Sequence, residues 1–422
     1  MRVFLPLRNR AVALLWSGLS LSAIGDQLYG VALSWIAVGV FGAAAGYLAG
    51  LQSLVLLLAA LSIGRWADRW EAMRSLIGAD LLRAAALLAV VALWLASGRP
   101  AALPLIGAVV VLALGQAVFQ PALQVVLPGL VPDPAMLPAT NGLMDTTDRS
   151  ARLLGPGLIA MLAGVLPTVH FLSLDAASFL VSAAAVLRIR RLRPGALPAA
   201  TPAREGIWQG IRRGARAMAE HPLLGSVLRT TALVNGSWYA AFYLALPLMI
   251  ERLGVRGPGG AGLGAFGLVI AAYGCTNLAA TLVLGGREIP PRPQLQMFGG
   301  TALVGTGTVL MGLAALLPAD WRLAGFAGAA AFGAAGGPMK DIPLAVLRQT
   351  RLRGADVPAA MRAYIAANSA GALAAMIVSP SVIHAIGAPA TIVLCGGINV
   401  ATAVVVLMRL GVWREATARP AE

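Results

Sequence analysis

The sequence predicts an all-α polytopic membrane protein whose twelve transmembrane helices form two six-helix bundles. Of its 422 residues, 59% are hydrophobic and only 12% are charged, which is about half the charged fraction of an average soluble domain. Apolar residues also form long runs that are almost free of charge, such as 51–63, 76–97 and 103–127. A bilayer core requires about 20 apolar residues per helix and offers backbone groups no water, so each run must be helical.

The runs define twelve spans with a polar segment in the middle of the chain. The predicted spans are 11–40, 46–64, 75–97, 103–127, 138–164, 168–189, 223–253, 262–285, 295–317, 322–348, 358–384 and 387–410. This arrangement predicts an N-terminal bundle over 1–189, a cytoplasmic linker over 190–222, and a C-terminal bundle with a tail over 223–422. Two six-helix halves joined in this way are typical of transporters built from parallel repeats.

The linker contains a short basic helix, predicted over residues 205–220. Its apolar side chains would face lipid headgroups while its arginines stay in water. The apolar set is Trp208, Ile211 and Met218, and the basic set is Arg212, Arg213 and Arg216. The helix can equally act as a tether between the bundles, and the two roles are compatible.

The net charge of +15 comes almost entirely from arginine, since Lys340 is the single lysine. The arginines lie between apolar runs, as topology determinants do, so nucleic-acid binding is not predicted. One set of loops is rich in arginine, whereas the other has little beyond Arg99, Arg252, Arg256 and Arg322. The arginine-rich side, which includes both termini, is therefore predicted to be cytoplasmic, in a multi-pass protein of the bacterial inner membrane.

The sequence contains no pattern typical of an enzyme or of an ATP-driven pump. It has no nucleophile constellation, metal-ligand cluster, cofactor motif or G-x-x-x-x-G-K-[ST] phosphate loop. Cys275 and Cys395 both lie in apolar runs, so a disulfide framework is not predicted. We therefore expect no enzymatic activity and no cofactor.

The loop after the second span reads Gly-Arg-Trp-Ala-Asp-Arg over residues 64–69, with Arg74 beyond it. It resembles the signature loop between helices two and three of the major facilitator superfamily, G-x-x-x-D-R followed by a basic residue. The resemblance implies a latch that stabilises one of two gated states. In this latch Gly64 permits close packing, and the charged members are Asp68, Arg69 and Arg74.

The fifth span contains Gly155-Pro156-Gly157, which is similar to the glycine–proline motif of antiporter branches of the superfamily. Proline inside a helix frees a carbonyl group and bends the helix, and the resemblance implies a gating role for Gly155 and Pro156. The alternative is a tolerated kink with no role in transport. The motif favours export over import.

Further strings resemble the enterobactin exporter and macrolide efflux branch of the same superfamily. They are Gly-Asp-Gln at 25–27, Phe-Gln-Pro-Ala at 119–122, Ala-Thr-Asn-Gly at 139–142, Leu-Asp-Ala-Ala-Ser-Phe at 174–179 and Glu-His-Pro-Leu-Leu at 220–224. The resemblance covers most of the N-terminal half and implies export of a siderophore or an amphipathic drug.

The sequence departs from the family pattern at several places, one of which is the second glycine pair of the glycine–proline motif, where Ala160 and Met161 stand instead. Trp70 and Glu71 stand where the signature loop more usually has a glycine and a basic tract. The C-terminal half echoes that loop only faintly, at Gly285-Gly286-Arg287. The arginine that many drug exporters carry in helix four is absent, which leaves the coupling scheme open.

Ionisable residues inside spans are functional candidates, because each costs about 2.5–3.5 kcal/mol to insert. Asp26 lies about fifteen residues, or about 22 Å, into the first span, near the middle of the membrane. The first helix lines the central cavity in the superfamily, so Asp26 is the main candidate to carry a coupling proton. The alternative is a structural hydrogen bond to a neighbouring helix.

Asp145, Asp148, Arg149 and Arg152 share one face of the fifth span, within an arc of about 100°. Each acid lies four residues before an arginine, the favourable orientation for an ion pair on a helix. The cluster is either a gate whose pairs open and close, with the two acids assisting proton transfer, or a self-neutralised solvated face. Arg152 lies deepest, and it and Arg149 are the candidates to contact an anionic cargo.

The tenth span carries Lys340 and Asp341, which we predict to bind substrate and to assist proton coupling, respectively. Adjacent residues point about 100° apart on a helix, so the two are not expected to pair with each other. The alternative for Lys340 is snorkelling to the cytoplasmic surface.

The seventh span offers a candidate cargo surface made of Asn235, Trp238 and Tyr239, which combine hydrogen bonding with ring stacking. Aromatic residues in membrane helices also serve as packing or interface anchors, and that alternative stays open. Asp175 in the sixth span is assigned a structural role.

These features together predict a proton-coupled exporter of a small organic molecule that works by alternating access. Its expected partners are a small-molecule substrate, the proton gradient and the lipid bilayer, and it is expected to be a monomer. One alternative is an importer of a siderophore or metabolite with the same fold. Another, from a different class, is a non-transporting membrane sensor.

Overall fold

The computed structural model describes residues 6–62, 71–131, 137–192, 207–285, 287, 290–353 and 356–410. All the regular elements within these ranges are helices. The N-terminal half contains α1 (Arg10–Phe41), α2 (Ala45–Ser62), α3 (Ala72–Ser97), α4 (Ala102–Leu130), α5 (Leu137–Leu162) and α6 (Val169–Leu192). A short 3₁₀ turn, Gly42–Ala44, joins α1 to α2.

The C-terminal half begins with the linker helix α7 (Ile207–Ala219). It continues with α8 (Pro222–Tyr239), a π-helical segment (Ala240–Ala245), α9 (Leu246–Arg252), α10 (Gly262–Gly285), α11 (Pro293–Leu313), α12 (Ala319–Ala334), α13 (Gly336–Arg351), α14 (Val357–Ile386) and α15 (Ala388–Arg409). The predicted seventh span thus comprises α8, the π-helical segment and α9. The predicted tenth span comprises α12 and α13, which meet at Ala335.

The predicted fold class is confirmed, and each of the twelve predicted spans coincides with a helix or a run of helices. By length and composition, nine helical segments among the described residues can cross a membrane, and one of them, Arg10–Leu56, contains the first predicted span and part of the second. The fifth and tenth spans are not among the nine, because α5 carries four charged residues and the tenth span is divided between two shorter helices.

The chain divides into two units: Met1–Phe41 with Leu51–Ala203, and Gly42–Gly50 with Arg204–Glu422. In the first unit, α6 packs against both α1 and α3, while α4 packs on α3 and α5 on α1. Leu15 of α1, Leu76 of α3, Leu130 of α4 and Ile189 of α6 meet in its core. This packing places α6 in contact with both α1 and α3.

In the second unit, pairs of glycines bring helices into close contact. A Cβ atom added at Gly305 of α11 would lie 2.7 Å from the Gly396 carbonyl oxygen of α15, and one added at Gly396 would lie 2.5 Å from the Gly305 carbonyl oxygen. Real Cβ atoms do not approach so closely, so only glycine allows this crossing, as is common where membrane helices pack.

Gly396→Ala should therefore destabilise the protein, whereas Gly397→Ala should not. The first change forces α11 and α15 apart and should cost about 1–3 kcal/mol, as overpacking does. The second places its Cβ where no atom lies within 4 Å, so it should be neutral or slightly stabilising. Denaturant unfolding in detergent micelles measures both, and equal stability of the two variants would contradict the close crossing.

The linker helix α7 is docked on the second unit. Met218 is fully buried in a core with Leu224, Phe298 and Leu344. On the same helix, Arg213 Nε lies 3.3 Å from Asp356 Oδ1, next to the start of α14. A Cβ added at Gly214 would overlap the Ala359 carbonyl oxygen of α14.

Met218 therefore packs against protein instead of facing lipid headgroups, because α14 covers the apolar side of the helix. Trp208, by contrast, is 63% exposed, and Arg212 and Arg216 are exposed as well. Met218 is thus part of the core of the second unit, while the exposed Trp208, Arg212 and Arg216 fit a helix that lies at a membrane surface.

Candidate functional site

The first helix carries its acidic residue beside a buried acid of the sixth. Asp26 is half-buried, and its charge interacts with that of Asp175 on α6. The preceding residue, Gly25, sets the distance between the helices. A Cβ added there would overlap Ser178 Oγ and would lie 2.6 Å from Asp175 Oδ1. The α1 backbone therefore lies directly on the Asp175 side chain, which only glycine permits.

Asp175 is completely buried and only partly hydrogen-bonded. Ser178 Oγ donates to Asp175 Oδ1 over 3.2 Å, while Asp175 Oδ2 has no hydrogen-bond partner within the described part of the chain. Tyr29, one turn beyond Asp26 on α1, also has a buried hydroxyl for which no described group provides a partner. A buried charged carboxyl group with an unsatisfied oxygen is costly.

The third helix contributes a buried ion pair that was not among the residues predicted from the sequence. Asp80 and Arg83 lie one turn apart on α3, their side chains are bonded to each other, and they are 0% and 3% exposed. The Arg83 guanidinium lies between two rings, 4.6 Å from the centre of Phe119 on α4 and 4.2 Å from that of Phe179 on α6. Such cation–π contacts offset part of the desolvation of the charge.

Helix α4 makes room for the arginine by having no side chain beside it. A Cβ added at Gly115 would lie 2.6 Å from Arg83 Cγ. The signal for this pair was present in the sequence, since an acid and an arginine three residues apart in an apolar run are spaced to pair on a helix. Asp26, Asp80, Arg83 and Asp175 form what we call the N-unit charge cluster.

The glycine–proline motif lies next to this cluster. A Cβ added at Gly155 of α5 would overlap Gln27 Cβ of α1, so Gly155 permits close contact of the two helices beside Asp26. Pro156 lies inside α5. Arg152 is exposed, and the side chains of the other three predicted residues of this helix lie outside the described part of the structure: Asp145, Asp148 and Arg149.

The predicted latch is described only in part, because Gly64, Asp68 and Arg69 lie outside the described residues. Arg74 is exposed, and its Nε lies 2.8 Å from Glu71 Oε2. Glu71 Oε1 in turn accepts a hydrogen bond from Arg190 Nε of α6 over 3.1 Å. The residue that departs from the family signature therefore joins the start of α3 to the end of α6.

In the second unit, Lys340 and Asp341 lie together on α13. The expectation that they do not pair is wrong, because Lys340 Nζ lies 3.6 Å from Asp341 Oδ1. The directions of their Cα–Cβ bonds diverge, but the long lysine side chain brings its ammonium group back to the neighbouring carboxylate. Lys340 is 15% exposed and Asp341 is 61% exposed, so the acid presents the accessible charge of this pair.

A group of aromatic rings lies nearby on α8, the π-helical segment and α10. Trp238 contacts the rings of Tyr239, Phe242, Tyr243 and Tyr273, with centroid distances of 5.1–5.7 Å. We call these five rings the aromatic cluster. Trp238 and Tyr239 both belong to this cluster, and Tyr273 is an additional member that was not among the residues predicted from the sequence.

The aromatic cluster adjoins the charged pair. A Cβ added at Gly337 of α13 would lie 3.9 Å from the Tyr273 hydroxyl, and Tyr273 interacts electrostatically with Asp341. Asn235 is one turn before Trp238, and its Nδ2 donates to the Thr231 carbonyl oxygen over 3.1 Å. The second unit therefore presents rings, a lysine and an accessible carboxylate within one region.

Comparison with known proteins gives a consistent picture. The family model described as Major Facilitator Superfamily matches residues 15–339. No curated protein matches the sequence. The structure is similar to that of the POT family transporter PepTSo, with a TM-score of 0.71 and 12% identity over 96% of this chain and 99% of that one.

Two other solved structures are similar over nearly their whole length. A bacterial homologue of the iron transporter ferroportin in an inward-facing state has a TM-score of 0.68 and 14% identity, covering 93% of this chain and 98% of that one. A point mutant of the nucleoside transporter NupG has a TM-score of 0.67 and 13% identity, covering 93% and 99%. At these identities the likeness concerns the fold alone.

Proposed function

Since this chain belongs to the major facilitator superfamily, and is therefore a secondary transporter rather than an enzyme, we propose that it exports a small organic molecule in exchange for protons. Its location would be a bacterial inner membrane with both termini in the cytoplasm, because arginine concentrates in the loops on that side. One chain would suffice, because it supplies both six-helix halves.

The observation that carries the proposal is the half-buried Asp26 in the middle of α1. A carboxyl group at this depth is expensive to keep charged, and a group that gains and loses its charge can couple proton movement to a change of conformation. Its surroundings support this role, because α1 is closely packed at Gly25 against α6 and at Gln27 against α5.

The transport cycle would use alternating access. Inward-moving protons bind Asp26, with Asp341 or the two acids of α5, Asp145 and Asp148, assisting. Protonation removes charge inside the membrane, relaxes the latch at Asp68 and releases cargo outside. Arg149 and Arg152 would contact an anionic cargo in this cycle.

The cargo surface would be the aromatic cluster with Lys340 and Asn235. Rings stack on planar or apolar groups, and the lysine and the amide bind oxygens. This chemistry suits a siderophore or an amphipathic drug. The structural neighbours do not choose between them, because those proteins are described as peptide transporters, a homologue of an iron transporter and a nucleoside transporter.

Export rather than import is favoured by the glycine–proline motif, where Gly155 makes the close contact of α5 with α1, and by the resemblance of the N-terminal half to efflux proteins. An importer of a siderophore or metabolite would use the same fold. A membrane sensor would show no flux of any cargo.

Asp26→Asn tests the proposal in everted membrane vesicles with an imposed pH gradient. The probes are ethidium, one macrolide and one catecholate siderophore. We expect the wild-type vesicles to accumulate at least one probe when the gradient is present, and Asp26→Asn vesicles to lose this accumulation. Asp320→Asn is the matched control, because Asp320 is an exposed residue in the first turn of α12.

Each alternative has its own outcome in this assay. Gradient-driven transport that survives in Asp26→Asn would overturn the coupling role of that residue. Accumulation in right-side-out vesicles but not in everted ones would identify an importer. Absence of flux for every probe in both orientations, from a correctly inserted protein, would favour the sensor.

A further inference from the structure

Asp175 is surrounded by charged and polar groups from three helices. Asp26 and Tyr29 face it from α1, Asp80 and Arg83 act on it from α3, and Ser178 belongs to its own helix. Arg83 is the cation among these groups, and its guanidinium is bonded directly to Asp80. The positive charge is therefore already matched by one carboxylate, which leaves the charge of Asp175 without a cation of its own in this cluster.

Burial disfavours the ionised form of Asp175. Asp175 is 0% exposed, and Oδ2 has no hydrogen-bond partner within the described residues. An ionised carboxylate in a water-free interior normally requires several donors or a paired cation. A protonated carboxyl group requires neither, and it needs only an acceptor for its own O–H.

We propose that Asp175 is a second proton-binding carboxyl group, which exchanges its proton with Asp26 across the close contact of α1 and α6. This inference rests on the proposed proton coupling and adds a residue to it. Part of the Asp26 side chain is accessible, whereas Asp175 is 0% exposed. Asp26 is thus the entry point and Asp175 the place where a proton is stored.

The stored proton would act on the neighbouring helices through Arg83. When Asp175 is ionised, it competes with Asp80 for the guanidinium, and when it is protonated the competition ends. Arg83 also contacts Phe119 of α4 and Phe179 of α6, so a change in its position is transmitted to both helices. Proton binding at one residue would in this way bias the packing of α3, α4 and α6.

Asp175→Asn imitates the protonated state with almost no change of size. In the vesicle assay we expect gradient-driven transport to fall by about tenfold or more, within the usual range of coupling between sites, while facilitated flux down a substrate gradient persists. Asp320→Asn again serves as the control. A dependence on the pH gradient equal to that of the wild type would overturn the inference.

Infrared spectroscopy of the purified protein in lipid tests proton storage independently of transport. We expect the wild type at neutral pH to show the C=O band of a protonated carboxyl group and Asp175→Asn to lack it. In Asp26→Asn the band should persist, with an altered pH titration. If Asp175→Asn does not fold, absence of the band from the wild type would by itself overturn the inference.

The two proposals fail in different ways. If Asp26→Asn abolishes gradient-driven transport while Asp175→Asn leaves both transport and the infrared band unchanged, the proposed function stands and the inference falls. If both variants keep gradient-driven transport, neither Asp26 nor Asp175 carries the coupling proton, and both assignments fall. Proton coupling itself is excluded if transport by the wild type does not depend on the pH gradient.

Discussion

Replacing Arg83 with methionine should lower the free energy of unfolding by about 3–5 kcal/mol, the cost of leaving a buried charge without its partner. Asp80 is 0% exposed and is bonded to Arg83, so the substitution would leave a carboxylate inside the first unit with no guanidinium beside it. The variant would also lose the two ring contacts, with Phe119 and Phe179. Denaturant unfolding in detergent micelles gives the loss directly.

The double variant Asp80→Asn/Arg83→Met separates the charge effect from the packing effect. It removes both charges while keeping similar volumes, and replacing a whole buried pair by neutral groups is often close to neutral. Most of the lost stability should therefore return. If the single and double variants were equally unstable, the loss would come from packing, and the buried ion pair would not be the cause.

Gly214→Ala should release the linker helix α7 from α14. The added Cβ would overlap the Ala359 carbonyl oxygen and lie 2.5 Å from the Ala360 backbone nitrogen. Backbone atoms cannot rotate away as a side chain can, so α7 must shift as a whole. The overpacking should cost about 1–3 kcal/mol, and it would expose the apolar surface now covered by Met218.

Limited trypsin digestion measures this release, because α7 carries three arginines and a helix must open locally before it is cut. We expect cleavage in the linker to be several times faster than in the wild type. Gly210→Ala is the matched control on the same helix. Its Cβ would meet only the end of the Arg362 side chain, which can move aside, so equal cleavage of the two variants would contradict the docking.

The spans of this protein were predictable because the membrane imposes both a length and a composition on each of them. A span is recognised from the mean hydropathy of about 20 residues. Asp80 and Arg83 were overlooked because the many apolar residues of α3 keep this mean high. A search for acids and bases spaced three or four residues apart, made before the mean hydropathy was considered, would have identified this pair. What sequence could not provide is that Asp175 and Gly25 of two distant segments come together.

Two other differences have simple physical reasons. The amphipathic pattern of α7 predicts an apolar face but does not indicate what this face contacts, because lipid and the α14 surface are both apolar. For Lys340 and Asp341, the argument from helix angles considered where the side chains start, whereas the contact depends on where the long lysine ends. Helix direction alone therefore underestimates what a flexible charged side chain can reach.

The π-helical segment Ala240–Ala245 has a consequence for how this site can vary. In it the Leu246 amide bonds to the Ala241 carbonyl oxygen, five residues back, so the segment amounts to an α-helix with one residue inserted. Deleting one residue there would restore the α-helical pattern of backbone hydrogen bonds and rotate α8 relative to α9 by about 100°. Trp238 would then point in a new direction without any change of side chain. Insertion or deletion in this turn is thus a route to a different cargo surface on the same scaffold.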